Sequence, residues 1–247
     1  SSTTGYSNVA LGHNSCYALT TGYQNTAIGK DTLVAGTTYQ RCTALGFQTL
    51  YNNTANDNTG LGFQALLANT TGTQNVAVGS FALDANTTGS YSVAVGYNAL
   101  TASTGEYNTA VGRGALQGNT TAGHNTAVGR ASLEANTTAD ANTAMGYYAL
   151  LSNTTGAQNT AVGSLALDAN TTASNNTAFG YAAASSSTTA DNITAIGASA
   201  LQNNTGGTDT TAVGKSALAA NTTGDANCAF GRSSMSNNTT GDNNCAF

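Results

Sequence analysis

One motif, Asn-Thr-Ala-Val-Gly, recurs along the whole chain and constrains its fold more than any other feature. Its glycine occurs fourteen times in 247 residues, and eleven of the thirteen intervals between successive glycines are 17 residues long while two are 16. A fixed period of this kind is the signature of a repeat protein, in which each repeat packs against its neighbours. The repeat glycines are Gly12, Gly29, Gly46, Gly62, Gly79, Gly96, Gly112, Gly129, Gly146, Gly163, Gly180, Gly197, Gly214 and Gly231.

The residues around each repeat glycine are nearly constant in type. Alanine stands two residues before it in every repeat except one, where Gly60 replaces it, and an aliphatic residue, Phe or Met stands directly before it. Leu stands four residues after the glycine in eleven of fourteen repeats. Asn dominates two positions, four residues before the glycine (the upstream Asn column) and seven after it (the downstream Asn column). The residues directly before and after the glycine form the pre-glycine column and the post-glycine column.

A period of 17 residues is too short for paired-helix repeats or propeller blades and predicts one coil of a parallel β-solenoid, an all-β fold of about 14.5 coils. Each coil is expected to hold a strand at Thr-Ala-Val, a corner at the glycine, a second short extended segment at Ala-Leu and a turn at Asn-Thr-Thr-Gly. No sustained helical periodicity is present. Stacked coils would turn the Asn columns into side-chain ladders inside the solenoid.

The Thr-Ala-Val strand predicts self-association. Successive residues of a strand face opposite sides, yet the alanine and the pre-glycine residue are both apolar in nearly every repeat. Both faces are therefore expected to be buried, one against the interior of the coil and the other against a partner surface.

The unit at residues 159–166, Asn-Thr-Ala-Val-Gly-Ser-Leu-Ala, resembles the head repeats of YadA-like trimeric autotransporter adhesins and the β-roll repeats of phage tail fibres. The resemblance covers essentially the whole chain, although an additional Asn-Thr-Thr-Gly turn makes each coil longer than in that family. It implies a left-handed parallel β-roll of three chains around one axis. It also implies an adhesive appendage outside the cell, on a cell surface or a virion.

Composition and residue spacing exclude several classes of function. Only 7% of residues are charged and the formal net charge is −5, which gives no basic field for nucleic acid. No apolar run is long enough for membrane insertion. The two histidines, His13 and His124, lie in different columns, and carboxylates recur only as isolated residues, so we expect no metal, cofactor or catalytic constellation and no enzyme activity. Cys228 and Cys245 share a column, and are interpreted as small semi-buried thiols, with a disulfide conceivable.

The post-glycine column has the one composition that suggests binding. It collects five of the six basic residues of the chain together with five aromatic residues. Such groups suit sugar rings and anionic glycans, so the column is a candidate contact stripe for a host-surface glycan. A purely structural alternative is that a position beside glycine simply tolerates long, outward side chains. The candidate residues are Lys30, Phe47, Phe63, Tyr97, Arg113, Arg130, Tyr147, Tyr181, Lys215 and Arg232.

The leading hypothesis is a non-enzymatic structural fibre segment of an appendage for adhesion or host attachment, either a phage tail fibre or a bacterial trimeric adhesin. Residues 1–247 are interpreted as one repetitive segment that begins and ends within a repeat and belongs to a longer chain. One alternative is a self-assembling extracellular filament, because exposed strand edges invite stacking. Another is an ice-binding solenoid, which the recurring Thr suggests. It is opposed by the Val and Cys residues that replace Thr three residues before the repeat glycine in several repeats.

Overall fold

A computed structural model describes residues 4–247, which form β-strands and turns and contain no helix. Residues up to His124 make one compact unit and residues 125–247 a second. The strands of the first unit are β1 (Val9–Leu11), β2 (Thr26–Ile28), β3 (Thr43–Leu45), β4 (Thr59–Leu61), β5 (Val76–Val78), β6 (Val93–Val95) and β7 (Thr109–Val111). Those of the second are β8 (Thr126–Val128), β9 (Thr143–Met145), β10 (Thr160–Val162), β11 (Thr177–Phe179), β12 (Thr194–Ile196), β13 (Thr211–Val213), β14 (Cys228–Phe230) and β15 (Cys245–Ala246).

Within each unit, every strand pairs in parallel with the next strand along the chain, one repeat later. In the second unit, for example, Ala144 of β9 pairs with Ala161 of β10, which pairs with Ala178 of β11. Equivalent residues of successive repeats therefore lie side by side. This register confirms a parallel β-solenoid in which one 17-residue repeat forms one coil.

The repeat glycine is required at the corner that follows the strand. Gly163 has a φ of +135°, a region of conformational space that is essentially restricted to glycine. A Cβ built on Gly163 would also lie well inside contact distance of the carbonyl oxygen of Gly180, the same corner one coil later. A side chain here would therefore push successive coils apart, which explains why the glycine recurs in every repeat.

The expected second extended segment at Ala-Leu is wrong, because these residues form turns. Leu150 and Leu167 of the leucine column have φ values of 51°, and Tyr148, two residues before Leu150, has a φ of 59°. A left-handed conformation costs a non-glycine residue roughly 1–2 kcal/mol. The compensation is hydrogen bonding between coils, since Leu150 N donates to Ala166 O at 3.0 Å and Tyr148 N donates to Arg130 O at 3.1 Å. Alternating handedness thus bends the chain while its amides still reach the neighbouring coils.

The interior of each coil is small and dry. The strand alanine, such as Ala161, is fully buried, as are the alanine and leucine that follow the glycine, such as Ala166 and Leu167. Burying a leucine side chain contributes roughly 1.5–3 kcal/mol. The single strand of each coil therefore packs its alanine against the leucine column, and this contact repeats at every step.

The two Asn columns line the remainder of the interior, and the predicted ladders are confirmed in the downstream column. Asn153 Nδ2 donates to Asn136 Oδ1 at 3.1 Å and to Gly156 O at 2.9 Å, while Asn153 Oδ1 accepts from Asn170 Nδ2 at 2.7 Å. The amides therefore satisfy one another and a turn carbonyl inside the solenoid, where water has no access.

The upstream Asn column bonds mainly to backbone instead of forming a pure amide ladder. Asn142 Oδ1 accepts from the backbone N of Asn159 at 2.9 Å, and Asn142 Nδ2 donates to Gly156 O at 2.9 Å. Each side chain thus ties its own coil to the next one. This dual role explains why Asn, which offers a donor and an acceptor on one short side chain, dominates the position.

One coil near the start of the chain replaces the Asn ladder by an aromatic ring. Gly36 occupies the downstream Asn position, and Tyr39 stands where the other coils have Gly or Ala. The Tyr39 side chain is fully buried and its Oη donates to Leu33 O at 2.8 Å. A Cβ on Gly36 would clash with the Tyr39 ring. The two exchanges compensate each other, because the ring fills the space that the missing amide leaves.

Candidate functional site

The post-glycine column lies on the surface of the solenoid, as a residue at a corner should. All ten candidate residues are exposed, from 36% for Phe47 to 60% for Tyr181 among the aromatic side chains. Their backbones lie next to one another along each unit, as shown by Ser233 N, which donates to Lys215 O at 2.9 Å beside Arg232. The column is therefore a continuous surface feature within each unit.

In the first unit, the first of the candidate residues is a lysine whose ammonium group lies beside two stacked rings. Lys30 Nζ lies 5.7 Å from the centre of the Phe47 ring. The Phe47 and Phe63 rings are stacked, with centroids 5.4 Å apart and an interplanar angle of 15°. Both faces of the Phe47 ring are therefore occupied, one by the ammonium group and the other by Phe63.

The ladder continues across a coil whose post-glycine residue is Ser80. Phe81, the next residue, packs edge-to-face on Phe63 at 5.2 Å and on Tyr97 at 6.0 Å, so it fills the gap. The Arg113 guanidinium then lies 5.9 Å from the centre of the Tyr97 ring. Sequence reasoning missed Phe81 because it stands one position outside the column. The ladder thus runs from one cation to another over four rings. Each pair of adjacent rings contributes about 0.5–1.5 kcal/mol to stability.

In the second unit the column is interrupted. Arg130 lies over the rings of Tyr147 and Tyr148 at 5.5 and 5.2 Å, and its Nη1 donates to Tyr147 Oη at 3.1 Å. The rings of Tyr147 and Tyr148 stack at 3.9 Å. Ser164 and Ala198 separate this cluster from the remaining candidates. Those candidates, which the structure does not bring into contact with the cluster, are Tyr181, Lys215 and Arg232.

Carboxylates avoid the post-glycine column. None of the eleven acidic residues occupies it, and only Asp31 stands next to it, where its carboxylate lies 4.0 Å from Lys30 Nζ and 3.9 Å from His13 Nδ1. The sixth basic residue, Arg41, lies in another column and forms a bidentate pair with Asp57. This pairing holds the pKa of the Asp57 carboxyl below its usual value.

A second aromatic stack in the first unit was not predicted. Tyr91, Tyr107 and His124 stand five residues before successive repeat glycines and stack with centroids 4.9 and 5.1 Å apart. All three are exposed. The signal was present in the sequence, because rings recur at this position in three consecutive repeats. It was hidden by the other repeats, which carry polar residues or alanine there.

The pre-glycine column is half-buried to exposed, although it is apolar throughout; Val128 and Val162, for example, are half-buried. Met145, Phe179 and Ile196 in the second unit are 44%, 56% and 40% exposed, and Leu45 and Leu61 in the first are 40% and 42% exposed. Only the alanine face of each strand is covered by the chain itself. A contiguous apolar stripe of this kind marks an interaction surface.

Other groups of chemical interest are isolated. No three His, Cys, Asp or Glu side chains within residues 4–247 come close enough together to hold a metal ion. Cys16 and Cys42 are buried free thiols, and burial raises the pKa of Cys42 to about 11, which leaves the thiol protonated and unreactive. Cys228 and Cys245 are paired in register on β14 and β15, and both are free thiols.

Two half-buried carboxylates each have one oxygen without a hydrogen bond to stabilise its charge. Asp84 and Asp168 occupy the same repeat position in different units, and one carboxylate oxygen of each is buried without a hydrogen-bond partner. Burial raises the pKa of both carboxyl groups. Neither forms an ion pair with a basic residue in the described part of the chain.

Within the described residues, no helix has the length and apolar character needed to cross a membrane. Comparison with known proteins gives no match to the chain, either among family models, among curated proteins or among solved structures.

Proposed function

We propose that this chain is a non-enzymatic structural segment of a fibrous appendage on a virion or a cell surface, where it serves adhesion or host attachment. The observation that carries the proposal is the exposed apolar pre-glycine column, which recurs in coil after coil of an otherwise closed solenoid. A chain built for catalysis concentrates unlike residues in a few places, whereas these coils are nearly interchangeable.

The apolar column favours a homotrimer. In a threefold arrangement the same column of each chain faces one axis, so three apolar stripes cover one another. Burying the exposed half of an aliphatic side chain contributes about 1 kcal/mol per coil and per chain. Summed over the seven coils of the first unit in three chains, this contribution is about 20 kcal/mol, which is of the size needed for the two association steps of a trimer at about 4–15 kcal/mol each. The interior of each coil is already complete, so association adds to the stability of the coil instead of creating it.

Sedimentation velocity at micromolar concentration tests the proposal. The full chain of 24.5 kDa should sediment as a discrete species of three times that mass. A variant with charges on the apolar column should sediment as a monomer with an unchanged far-UV circular dichroism spectrum. The substitutions are Met145→Lys, Phe179→Lys and Ile196→Lys.

A matched control places the same three charges on another exposed column of the same coils, with Thr138→Lys, Thr172→Lys and Thr189→Lys, and should remain trimeric. A wild-type chain that is a folded monomer would overturn the proposal. An open series of sizes growing with concentration would instead identify a self-assembling filament.

A further inference from the structure

We propose that the post-glycine column binds an acidic polysaccharide, with the carboxylate or sulfate groups of an extended sugar chain lying along the coils of each unit. The inference rests on the proposed attachment function and gives that function a ligand class. It rests on two observations: the basic residues are concentrated in one surface column, and the rings of that column already pack against cations and other rings.

The charge of the column is opposite to that of the chain. The formal net charge is −5, yet five of the six basic residues stand in one column and none of the eleven acidic residues does. Among residues 4–247 the ion pairs engage only His13, Lys30 and Arg41 as cations. The remaining four cations, all exposed and all in the column, therefore have no carboxylate partner: Arg113, Arg130, Lys215 and Arg232.

Two of these cations are held side by side. Lys215 and Arg232 belong to successive coils, whose backbones are joined at this point by the bond from Ser233 N to Lys215 O. Equivalent backbone positions of successive coils are about 4.8 Å apart, so the two side chains extend from neighbouring backbones and their positive charges repel each other. An anionic group bound between them would remove that repulsion.

The ring faces argue against a neutral sugar. C–H groups of sugars stack on open aromatic faces, but most ring faces in the first-unit ladder and in the Arg130 cluster are occupied, and only Tyr181 lies outside these two groups. Phe47 lies between Lys30 and Phe63, and Tyr147 is covered by Tyr148 and Arg130. What the column still offers is N–H donors and ring edges, and both attract anions. Guanidinium groups stacked on rings keep their outer N–H groups free for bidentate contact with a carboxylate or a sulfate.

The shape of the column selects an extended ligand. The candidate groups are exposed and recur from coil to coil, so a compact anion would contact only one or two of them. A polymer with an acidic group at regular intervals can engage several coils at once, and each further contact is then effectively intramolecular. Nucleic acid is also a polyanion, but its dense charge is repelled by the acidic remainder of the chain.

Binding of sodium alginate, a linear polyuronate, to the full chain tests the proposal by isothermal titration calorimetry. Removing the four unpaired cations should weaken binding by roughly tenfold or more, because charge-assisted contacts are lost. The affinity of the wild-type chain should also fall as salt is raised, since the contacts are exposed and screened. The variant carries Arg113→Gln, Arg130→Gln, Lys215→Gln and Arg232→Gln.

The control variant has the same net charge with the column intact. Four substitutions on an exposed threonine edge lower the formal net charge from −5 to −9, as the four Gln substitutions do, and should leave alginate affinity within about threefold of wild type. They are Thr88→Asp, Thr121→Asp, Thr155→Asp and Thr172→Asp.

Three results would overturn the inference. Equal affinity for neutral dextran would show that charge is not what is recognised, and equal affinity for single-stranded DNA would remove the assignment to a polysaccharide. Equal weakening in both variants would show that net charge, not the column, governs binding. Trimer formation is measured separately. A trimer that does not bind alginate therefore refutes only this inference, and a monomer that binds alginate refutes only the proposed fibre function.

Discussion

The downstream Asn column contains a break that a single substitution should repair. Asn170 donates to Asn153, but the next coil carries Ser187, whose Oγ is buried without a partner, and Asn170 Oδ1 is likewise unpaired. Elsewhere within each unit, the side-chain amide of an Asn donates to the Asn one coil earlier in the column, as Asn153 does to Asn136 and Asn221 to Asn204. Ser187→Asn should therefore close the ladder.

The size of the gain follows from the bonds that would form. The new amide would donate to Asn170 Oδ1 and would take the place of a buried, unpaired hydroxyl. One hydrogen bond contributes about 0.5–1.5 kcal/mol, and an unpaired buried polar atom costs about 1–3 kcal/mol. Since fixing the longer side chain opposes this, we expect a gain of about 1–2 kcal/mol. For a chain of this size, that corresponds to a rise in Tm of roughly 2–8 °C.

The assay combines thermal unfolding with hydrogen exchange. A stack of repeats can unfold in parts, so the exchange rate of amides in the coils around Ser187 is the more direct measurement. Ser187 N itself donates to Ala184 O at 3.1 Å and should exchange more slowly in the variant. The reverse change in an intact part of the column, Asn153→Ser, should speed exchange in its own coil.

Ser186→Asn provides the matched control, because it makes the same chemical change one residue earlier, outside the ladder. It should alter stability by no more than about 0.5 kcal/mol. If Ser187→Asn leaves exchange and Tm unchanged, or lowers them while the circular dichroism spectrum is retained, the amide ladder is not the stabilising element inferred here.

Three further predictions concern the corner, the core and a carboxylate. Gly163→Ala should disrupt the stacking of its coil and lower Tm by many degrees, because its positive φ disfavours a side chain and the new Cβ would clash with the carbonyl oxygen of Gly180. Gly206→Ala is the control and should leave Tm unchanged, because there is open space around Gly206. Leu116→Asp should cost several kcal/mol in urea unfolding, because it places an unpaired charge in a fully buried position; a Tm within a few degrees of wild type would contradict this. Burial raises the pKa of Asp84, so the folded state holds its proton more tightly than the unfolded state, and stability is lost as pH rises through the raised pKa. Because this carboxylate is only half buried and solvent screens it, Asp84→Asn should stabilise the chain by at most about 0.5 kcal/mol at neutral pH and by nothing below the ordinary aspartate pKa of about 3.9, and a gain that persists at low pH would rule out this cause.

The local pattern of the sequence was sufficient for the parts of the fold that every repeat shares. The period of 17 residues, the strand at Thr-Ala-Val and the corner glycine could be predicted because stacking places equivalent residues side by side. The residue at each of these positions must therefore pack against the same residue type in the next coil. The downstream amide ladder followed from the same reasoning, since a buried column of Asn can be satisfied only by its neighbours.

The tertiary structure alone decided the features that depend on contacts between unlike residues. The left-handed conformation of Leu150 opposes its intrinsic preference and persists only because its N–H bonds to the adjacent coil. Phe81 joins the surface ladder, and Tyr39 fills the space beside Gly36, because of vacancies that neighbouring residues create. Likewise, the composition of the post-glycine column identified it as unusual, but its cations and rings could be assigned to one another only from their distances. Residue type is a local property of the chain, whereas backbone handedness and ring packing are set by the coil on either side.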